Sequence, residues 1–430
     1  MDKIKIVSAR HFLFEVEPVV SFVGKLKSEL SFDDFKKALR KLAVREPLIN
    51  CSVTLDEDGE AYLLPGTAEI EPKNISAQAF ELIDERRKCG FDVTKRLFDF
   101  FLIGSEAIAI FAHTLVADAK SLAYFAGEIA GYADNSLVSV LPNQITGINS
   151  VDDIPSDSVT PITFSRTNSL NDKWRLKEQK YTLADYEKLK KAYDKTKSEE
   201  GKLFFELDEK TADRLKELCR ELKIDRLSLL TYAFWSSLKM NEHARLLKKI
   251  RIYFDVRKRL GEPKELCGGN YYTRLVLAPS GKAKGGFLRQ ASVFHKKLYN
   301  KYINNFLFFN YITFFMGLDP FLSDSQYFSS FCSLKSKPSE KIAKTRGAKS
   351  PEALCVRQYN LEQKSGEALF GFSDIIMLEP FSAGESMAVT WTFFNGKIKV
   401  VMQYKKDFCD DETAKRIADR AVLSIESLLS

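Results

Sequence analysis

The chain has 430 residues, of which 45% are hydrophobic and 29% are charged, and its formal net charge is +7 at pH 7. This composition is typical of a soluble globular protein and excludes the disordered and fibrous classes. The seven cysteines and four histidines show none of the close spacings of zinc or redox sites, so we predict no metal centre. The positive charge is not gathered into a nucleic-acid-binding module, so we expect no nucleic-acid partner.

The N-terminal residues lack the apolar core of a signal peptide, and the most apolar window, residues 306–318, is too short to cross a bilayer. We therefore expect a cytoplasmic, monomeric protein without a membrane span. The aromatic side chains of that window have the spacing of a buried helix, and they would also suit the lining of an acyl pocket. They are Phe306, Phe308, Phe309, Tyr311, Phe314 and Phe315.

The first half of the chain alternates between predicted helices and strands. Ser31-Phe32-Asp33-Asp34 resembles a capping box, and apolar residues then recur at helical spacing until Pro47 stops the helix. Strands are predicted around residues 49–55, 61–64, 96–103 and 107–113, and a helix at residues 120–133. A long connection follows at residues 141–171, and residues 174–197 predict a helix on the surface.

The second half repeats this pattern. A strand at residues 202–207 is followed by helices at residues 211–222 and 224–240 and by a strand at residues 249–256. Further along, Asn395-Gly396 predicts the turn of a hairpin over residues 387–404, and the last helix is predicted at residues 411–429. We therefore predict an α/β fold with subdomains at residues 1–165 and 201–430, joined by a helical link at residues 166–200.

One short stretch carries the chemistry, Phe111-Ala112-His113-Thr114-Leu115-Val116-Ala117-Asp118-Ala119. It resembles the motif of the chloramphenicol acetyltransferase-like and condensation-domain superfamily, which has two histidines, three free positions, an aspartate and a glycine. The second histidine is the catalytic base of that family. Here His113 matches the first histidine, Thr114 takes the place of the catalytic one, Asp118 matches the aspartate, and Ala119 replaces the glycine.

The resemblance extends along most of the chain. It is carried further by Arg45-Glu46-Pro47-Leu48, by residues 255–261 with Gly269-Asn270-Tyr271, and by Phe372-Ser373-Asp374. It implies two chloramphenicol acetyltransferase-like subdomains, each a mixed sheet with flanking helices, that form a V around a central tunnel. It also implies that Asp118 pairs with Arg257 as a structural clamp, although an acid near a helix start is favoured in any case. Asn270, Tyr271, Ser373 and Asp374 are then expected along the tunnel.

The family's reaction transfers an acyl group from a coenzyme A or carrier-protein thioester to a hydroxyl or an amine. The resemblance therefore implies acyl-coenzyme A or a phosphopantetheinyl carrier as co-substrate and no other cofactor, a small-molecule acceptor, and an acyl carrier protein as partner. In the stretch 333–350, Lys341, Lys344 and Arg346 are candidates to bind the phosphates of the co-substrate. The same charges are also typical of a solvated loop.

The motif leaves two functions open. A threonine hydroxyl cannot store a proton at neutral pH, whereas imidazole titrates near 6.5, so Thr114 cannot act as the base. His113 serves as the base only if the local register is shifted, because adjacent residues leaving a strand point in opposite directions. The chain is then either an acyltransferase that relies on positioning or on His113, or a non-catalytic binding or scaffold protein that has kept the fold.

Overall fold

The computed structural model describes residues 2–137, 140–145, 147–175, 179–240, 247–261, 267–279, 285–333, 336–346, 353–361 and 371–429. The strands are β1 Ile4–Lys5, β2 Val19–Leu26, β3 Ser52–Leu55, β4 Ala61–Leu64, β5 Lys73–Ile75, β6 Phe98–Ile103, β7 Ala107–His113, β8 Glu200–Leu207, β9 Lys249–Asp255, β10 Tyr272–Leu277, β11 Ala353–Asn360, β12 Phe372–Leu378, β13 Met387–Phe394 and β14 Lys397–Lys405. The helices are α1 Phe32–Arg45, α2 Ala79–Cys89, α3 Ala119–Ala133, α4 Ser165–Arg175, α5 Asp185–Asp194, α6 Glu209–Leu222, α7 Arg226–Lys239, α8 Phe287–Ile303, α9 Asn305–Phe308, α10 Asn310–Met316, α11 Pro320–Phe331, α12 Lys337–Arg346 and α13 Asp411–Leu429.

The strands form two large mixed sheets and one small one. The first large sheet has the order β12-β2-β7-β6-β5, and the second has the order β10-β9-β11-β13-β14-β8. The small sheet, β1-β4-β3, belongs to the first half of the chain. Helices pack on both large sheets, so the predicted mixed α/β architecture with one sheet in each half is confirmed.

One strand of the second half completes the sheet of the first. β12 pairs antiparallel with β2, with Leu378 opposite Ser21. The two strands are far apart in sequence, because β2 ends at Leu26 and β12 begins at Phe372. The second half of the chain is therefore joined to the first large sheet by backbone hydrogen bonds. The predicted boundaries at residues 1–165, 166–200 and 201–430 stay a prediction, and they do not account for this exchanged strand.

Local sequence signals explain where the key helices begin. The Ser31 hydroxyl accepts a hydrogen bond from the Asp34 amide at 3.1 Å, and α1 then runs until Pro47 stops it, as predicted. α3 begins after Asp118, whose carboxylate accepts from the Ser121 amide at 2.9 Å. α3 is buried on nearly every side, between α1 and the first large sheet. The motif thus lies in the connection from β7 to α3.

Two stretches differ from the prediction. Residues 306–318 form parts of two short helices, α9 and α10, instead of one helix, because the Asn304 side chain caps α9 and a new turn begins at Asn310. The basic stretch, expected as a loop, contains α12, because Ile342 and Ala343 are buried where α12 packs against α11. Lys335 and Lys349 lie outside the described residues. In the part of the chain that the structure describes, no helix is long and apolar enough to cross a membrane.

Candidate active site

His113 lies on the face of the first large sheet that packs against α2. It is the last residue of β7, and its ring lies 6.3 Å from that of Phe91. The Leu115 amide donates a hydrogen bond to Nδ1 of His113 at 3.1 Å. Burial lowers the pKa of His113 to about 3, so the ring is neutral at physiological pH. The His113 ring is therefore buried and hydrogen-bonded to the backbone, and it has no access to a substrate.

Thr114 points to the opposite side, as strand alternation requires. It is fully buried, and it lines a cavity between the two halves of the chain. The Asn270 side-chain amide donates to the Thr114 carbonyl oxygen and, at 3.3 Å, to the Thr114 hydroxyl. Asn270 itself also lines a smaller, more apolar cavity on the other side of this contact. The Thr114 hydroxyl is therefore hydrogen-bonded in the wall of this cavity.

Asp118 and Arg257 form a buried ion pair across the two halves. Nη1 and Nη2 of Arg257 donate to the two carboxylate oxygens of Asp118, each at 2.9 Å, and the side chains are 1% and 5% exposed. Asp118 also accepts from the Tyr271 amide at 3.0 Å, and Arg257 donates to the Gly269 carbonyl oxygen at 3.1 Å. Burial disfavours the charged guanidinium, but Asp118 and Asp255 more than offset this effect and hold the pKa of Arg257 well above its ordinary value.

The main cavity lies between the two halves of the chain and is partly open to solvent. Its wall comes from the 3-10 helix Ser8–Phe12 and the residues after it, from the motif, and from β9, β10, β11, α10, α11 and the segment after β12. Charged and aromatic side chains make up most of this wall. They include Glu15, Asp118, Lys120, Arg251, Tyr253, Asp255, Arg257, Tyr272, Arg274, Tyr311, Tyr327, Arg357, Tyr359, Glu379 and Glu385.

Glu379 follows directly after β12 and lies beside the motif. One carboxylate oxygen, Oε1, accepts from the Ala119 amide at 2.7 Å and from the Tyr359 hydroxyl at 2.5 Å. The other oxygen is buried and has no hydrogen-bond partner among the described residues. Burial, assisted by the negative charge of Asp118, raises the pKa of Glu379 to about 7.

Two further groups in the wall carry polar atoms without a partner. Nη2 of Arg357 donates to both oxygens of Glu385, at 2.9 and 2.7 Å, whereas its Nη1 has no partner within the described part of the chain. The Tyr327 hydroxyl donates to Oε2 of Glu15 at 2.5 Å, and Oε1 of Glu15 is likewise unpaired there. Burial raises the pKa of Glu15 to about 7. The cavity can thus both donate and accept hydrogen bonds.

A histidine that the sequence argument did not select also lines the cavity. Nδ1 of His11 lies 2.7 Å from the Ser8 carbonyl oxygen, and Nε2 lies 2.8 Å from the Tyr311 hydroxyl. The ring stacks on Phe315 at 3.8 Å between centroids. Both ring nitrogens are thus engaged by the protein. Of the six aromatic residues predicted either as core or as an acyl pocket, Tyr311 lines this cavity.

The predicted tunnel residues divide into two groups. Asn270 contacts Thr114, and Tyr271 is fully buried beneath the Arg257 guanidinium, which lies 4.7 Å from the ring centroid. Like Asn270 and Tyr271, Ser373 and Asp374 lie outside the wall of the main cavity: the Ser373 hydroxyl donates to the Lys25 carbonyl oxygen, and Asp374 pairs with Lys399. These two residues occupy the end of β12 that is away from the cavity, and a role in a tunnel stays a prediction for all four residues.

The length of β12 explains why Ser373 and Asp374 lie away from the cavity. β12 has seven residues, and a strand rises by roughly 3.3 Å per residue, so its two ends lie about 20 Å apart. The end that reaches the cavity is followed by Glu379 and Pro380.

The residues predicted to bind phosphate lie on α12, where Lys341 and Lys344 are exposed. The side chain of Arg346 lies outside the described residues.

Glu379, Glu15 and Arg357 were not predicted as site residues. The sequence does contain a signal for Glu379, because Glu379-Pro380 ends an apolar strand-like run. An acid directly after a strand lies at the edge of the sheet. Nothing in the sequence pattern shows that this strand crosses into the other sheet. Within the described residues, no group of three or more His, Cys, Asp or Glu side chains is placed to hold a metal ion.

Comparison of the whole structure with known proteins gives consistent matches. The condensation domain of the Monacolin K polyketide synthase MokA superimposes with a TM-score of 0.64 at 8% identity, over 100% of this chain and 98% of that one. The trichothecene 15-O-acetyltransferase TRI3 from Fusarium sporotrichioides gives a TM-score of 0.62 at 12% identity, over 98% and 95% of the two chains. The epimerization domain of tyrocidine synthetase B gives 0.61 at 10% identity, over 99% and 97%.

No known family profile matches the sequence, and no curated protein matches it either. The structural agreement covers the full length of the chain at very low identity. The chain therefore has the chloramphenicol acetyltransferase-like fold shared by condensation domains and acetyltransferases, as the motif predicted. At this identity the comparison shows the fold alone.

Proposed function

We propose that the protein transfers an acyl group from a coenzyme A or carrier-bound thioester to a hydroxyl or an amine, within the cavity beside Thr114. The observation that carries this proposal is the coincidence of two features at one place. Thr114, which the motif aligns with the catalytic histidine of the family it resembles, lines the main cavity, and buried acidic and basic groups with unpaired atoms line the same cavity. A concave site with aromatic walls and a few convergent polar groups is typical of small-molecule binding.

The residues around the cavity have separate roles in this proposal. Arg257 and Asp118 hold the two halves at a fixed distance, so that donor and acceptor meet in one orientation. Such positioning supplies several kcal/mol of a reaction barrier. Thr114 contributes a hydroxyl that is oriented by Asn270 and that can donate a hydrogen bond to a bound substrate. His113 takes no part, because it is buried on the other face of the sheet.

The partners follow from the chemistry of the donor. Because several structural neighbours are domains of nonribosomal peptide and polyketide synthases, a phosphopantetheinyl carrier protein is the proposed donor partner, with acyl-coenzyme A as the free equivalent. The acceptor is proposed to be a small molecule. Lys341 and Lys344 are exposed three residues apart on α12, on one face of the helix, and with Arg346 they are our candidates for binding the donor's phosphates.

The test is acceptor-dependent release of free thiol from a panel of acyl-coenzyme A and acyl-pantetheine donors, with alcohols and amines as acceptors. Ser382→Trp places a large side chain in the cavity wall, and Ser373→Trp places the same side chain at the exposed start of β12. We expect turnover in the natural protein and in Ser373→Trp, and a loss of tenfold or more in Ser382→Trp. Absence of turnover with every donor, or equal turnover in all three proteins, contradicts the proposal.

A second candidate function is a non-catalytic binding or scaffold protein. It is favoured by the loss of the histidine at Thr114 together with the inward packing of His113. The informative variant is Thr114→His, which restores the family's base at its usual position. Turnover in Thr114→His but none in the natural protein is the result that this alternative expects. Turnover in the natural protein rejects it.

A further inference from the structure

We propose that Glu379 is the general base of the acyl transfer and takes over the role of the absent histidine. This inference rests on the proposed function and adds to it the group that removes the acceptor's proton. The glutamate is supplied by the second half of the chain, through the strand exchanged into the first sheet. It reaches the cavity that Thr114 lines, next to the start of α3.

The carboxylate is held in one orientation from two sides. The Ala119 amide, at the start of α3, and the Tyr359 hydroxyl, at the end of β11, both donate to Oε1 of Glu379. With Oε1 fixed, Oε2 is the oxygen left to accept a proton, and it has no partner among the described residues. Glu379 is only 5% exposed, so bulk water does not provide the missing partner freely. A buried acceptor without a partner is costly unless a ligand pairs with it.

The charged groups around Glu379 suit a base that works near neutral pH. Asp118, from the motif, raises its pKa, whereas Arg357 and Tyr359, from β11, lower it, and Tyr272, from β10, also faces it. Burial is the largest influence, and the resulting pKa of about 7 lies where a general base is most effective. His11 is less suited to this role, because both of its ring nitrogens already contact Ser8 and Tyr311.

The step balances without any further reactant. The acceptor's hydroxyl or amine gives its proton to Oε2 of Glu379 while its oxygen or nitrogen attacks the thioester carbonyl carbon. A C–O or C–N bond forms, and the carbonyl oxygen becomes an oxyanion. When the carbonyl re-forms, the C–S bond breaks, and the departing thiolate takes the proton back from Glu379. One thioester and one alcohol or amine thus yield one ester or amide and one thiol.

The experiment compares steady-state thiol release by the natural protein, Glu379→Gln and Asp374→Asn. Glutamine keeps both hydrogen bonds to Oε1 but cannot accept the proton, whereas Asp374 lies on the same strand outside the cavity. We expect kcat to fall by 10²-fold or more in Glu379→Gln, in the range typical of a lost general base, and to stay within about twofold in Asp374→Asn. The melting temperature of each variant shows whether its fold is retained.

A pH profile gives a second readout that does not depend on the stability of a variant. We expect kcat/KM of the natural protein to rise with pH through a midpoint at about pH 7 and to level off at higher pH, as Glu379 ionises. Tyr359 is a positioning residue here. In Tyr359→Phe the midpoint should move to higher pH, because a hydrogen bond to the ionised carboxylate is lost.

The outcomes separate this inference from the proposed function. Turnover that survives Glu379→Gln, or a profile that is flat between pH 5.5 and pH 8.5, overturns the role of Glu379 and leaves acyl transfer standing. No turnover in the natural protein with any donor overturns both. Loss of turnover in Glu379→Gln with a retained fold, together with the upward shift in Tyr359→Phe, supports the inference.

Discussion

Replacing Arg257 with alanine should destabilise the protein by disconnecting its two halves. In the native structure Arg257 donates two hydrogen bonds to Asp118, one to Ser121 and one to the Gly269 carbonyl oxygen. Removing one partner of a buried ion pair costs about 3–5 kcal/mol. Asp118 keeps bonds from the Ser121 and Tyr271 amides, so its charge is partly satisfied in the variant. We therefore expect a loss near the lower limit, about 3 kcal/mol.

The assay is urea unfolding followed by tryptophan fluorescence, with the change in midpoint as the readout. The matched control is Lys120→Ala, which removes the other cation that pairs with Asp255, in a contact where the side chains are 20% and 29% exposed. Such a pair contributes at most about 1 kcal/mol. In the double variant Arg257→Ala with Asp118→Asn, the stranded charge is gone, so the cost should be smaller than the sum of the single costs. An Arg257→Ala midpoint no lower than that of Lys120→Ala refutes the reasoning.

Three further predictions concern groups inside and outside the cavity. Burial raises the folded-state pKa of Glu15 from 4.5 to about 7, so the contribution of this group to stability is complete below pH 4.5 and is lost as the pH rises through 7. In urea unfolding, the free energy of unfolding of Glu15→Gln should therefore exceed that of the natural protein by roughly 3 kcal/mol at pH 8 and by little at pH 5. Burial lowers the pKa of His113 from 6.5 to about 3, so the natural protein loses stability as the pH falls below 6.5. The variant His113→Asn keeps an acceptor for the Leu115 amide. At pH 5 it should unfold at a higher urea concentration than the natural protein, and at pH 8 its thiol release should be unchanged. The double variant Lys341→Glu with Lys344→Glu should raise KM severalfold for acyl-coenzyme A but not for acyl-pantetheine, which lacks the phosphates, and equal KM values in both assays would remove α12 from the donor site.

Local signals in the sequence predicted much of the fold. The capping residue Ser31, the stop at Pro47 and the Asn395-Gly396 turn each depend on neighbouring residues only, and the structure has all three features. Strand alternation also explains why Thr114 and His113 face opposite sides. The basic stretch was assigned as a loop because its charges dominate the pattern, whereas two buried residues, Ile342 and Ala343, are enough to fix α12 against α11.

The candidate site was predictable only where it follows the motif. Thr114 and Asp118 were found because they lie together in sequence, and Arg257 because the family resemblance supplies its partner. Glu379 could not be found in this way, since its position depends on β12 pairing with β2 of the other half. The location of Ser373 depends on the same pairing, because the direction in which β12 crosses decides which of its ends reaches the cavity.

Hydrogen exchange with a bound donor analogue shows whether the cavity between the two halves is the place of acyl transfer. The probe is an acyl-pantetheine thioether, in which a CH₂ group replaces the reactive carbonyl so that no transfer occurs. We expect slower exchange on binding at residues 114–120 and at residues 379–385, which line the cavity from opposite halves of the chain. Slower exchange confined to surface elements such as α12, with neither cavity segment affected at saturating analogue, would contradict the account.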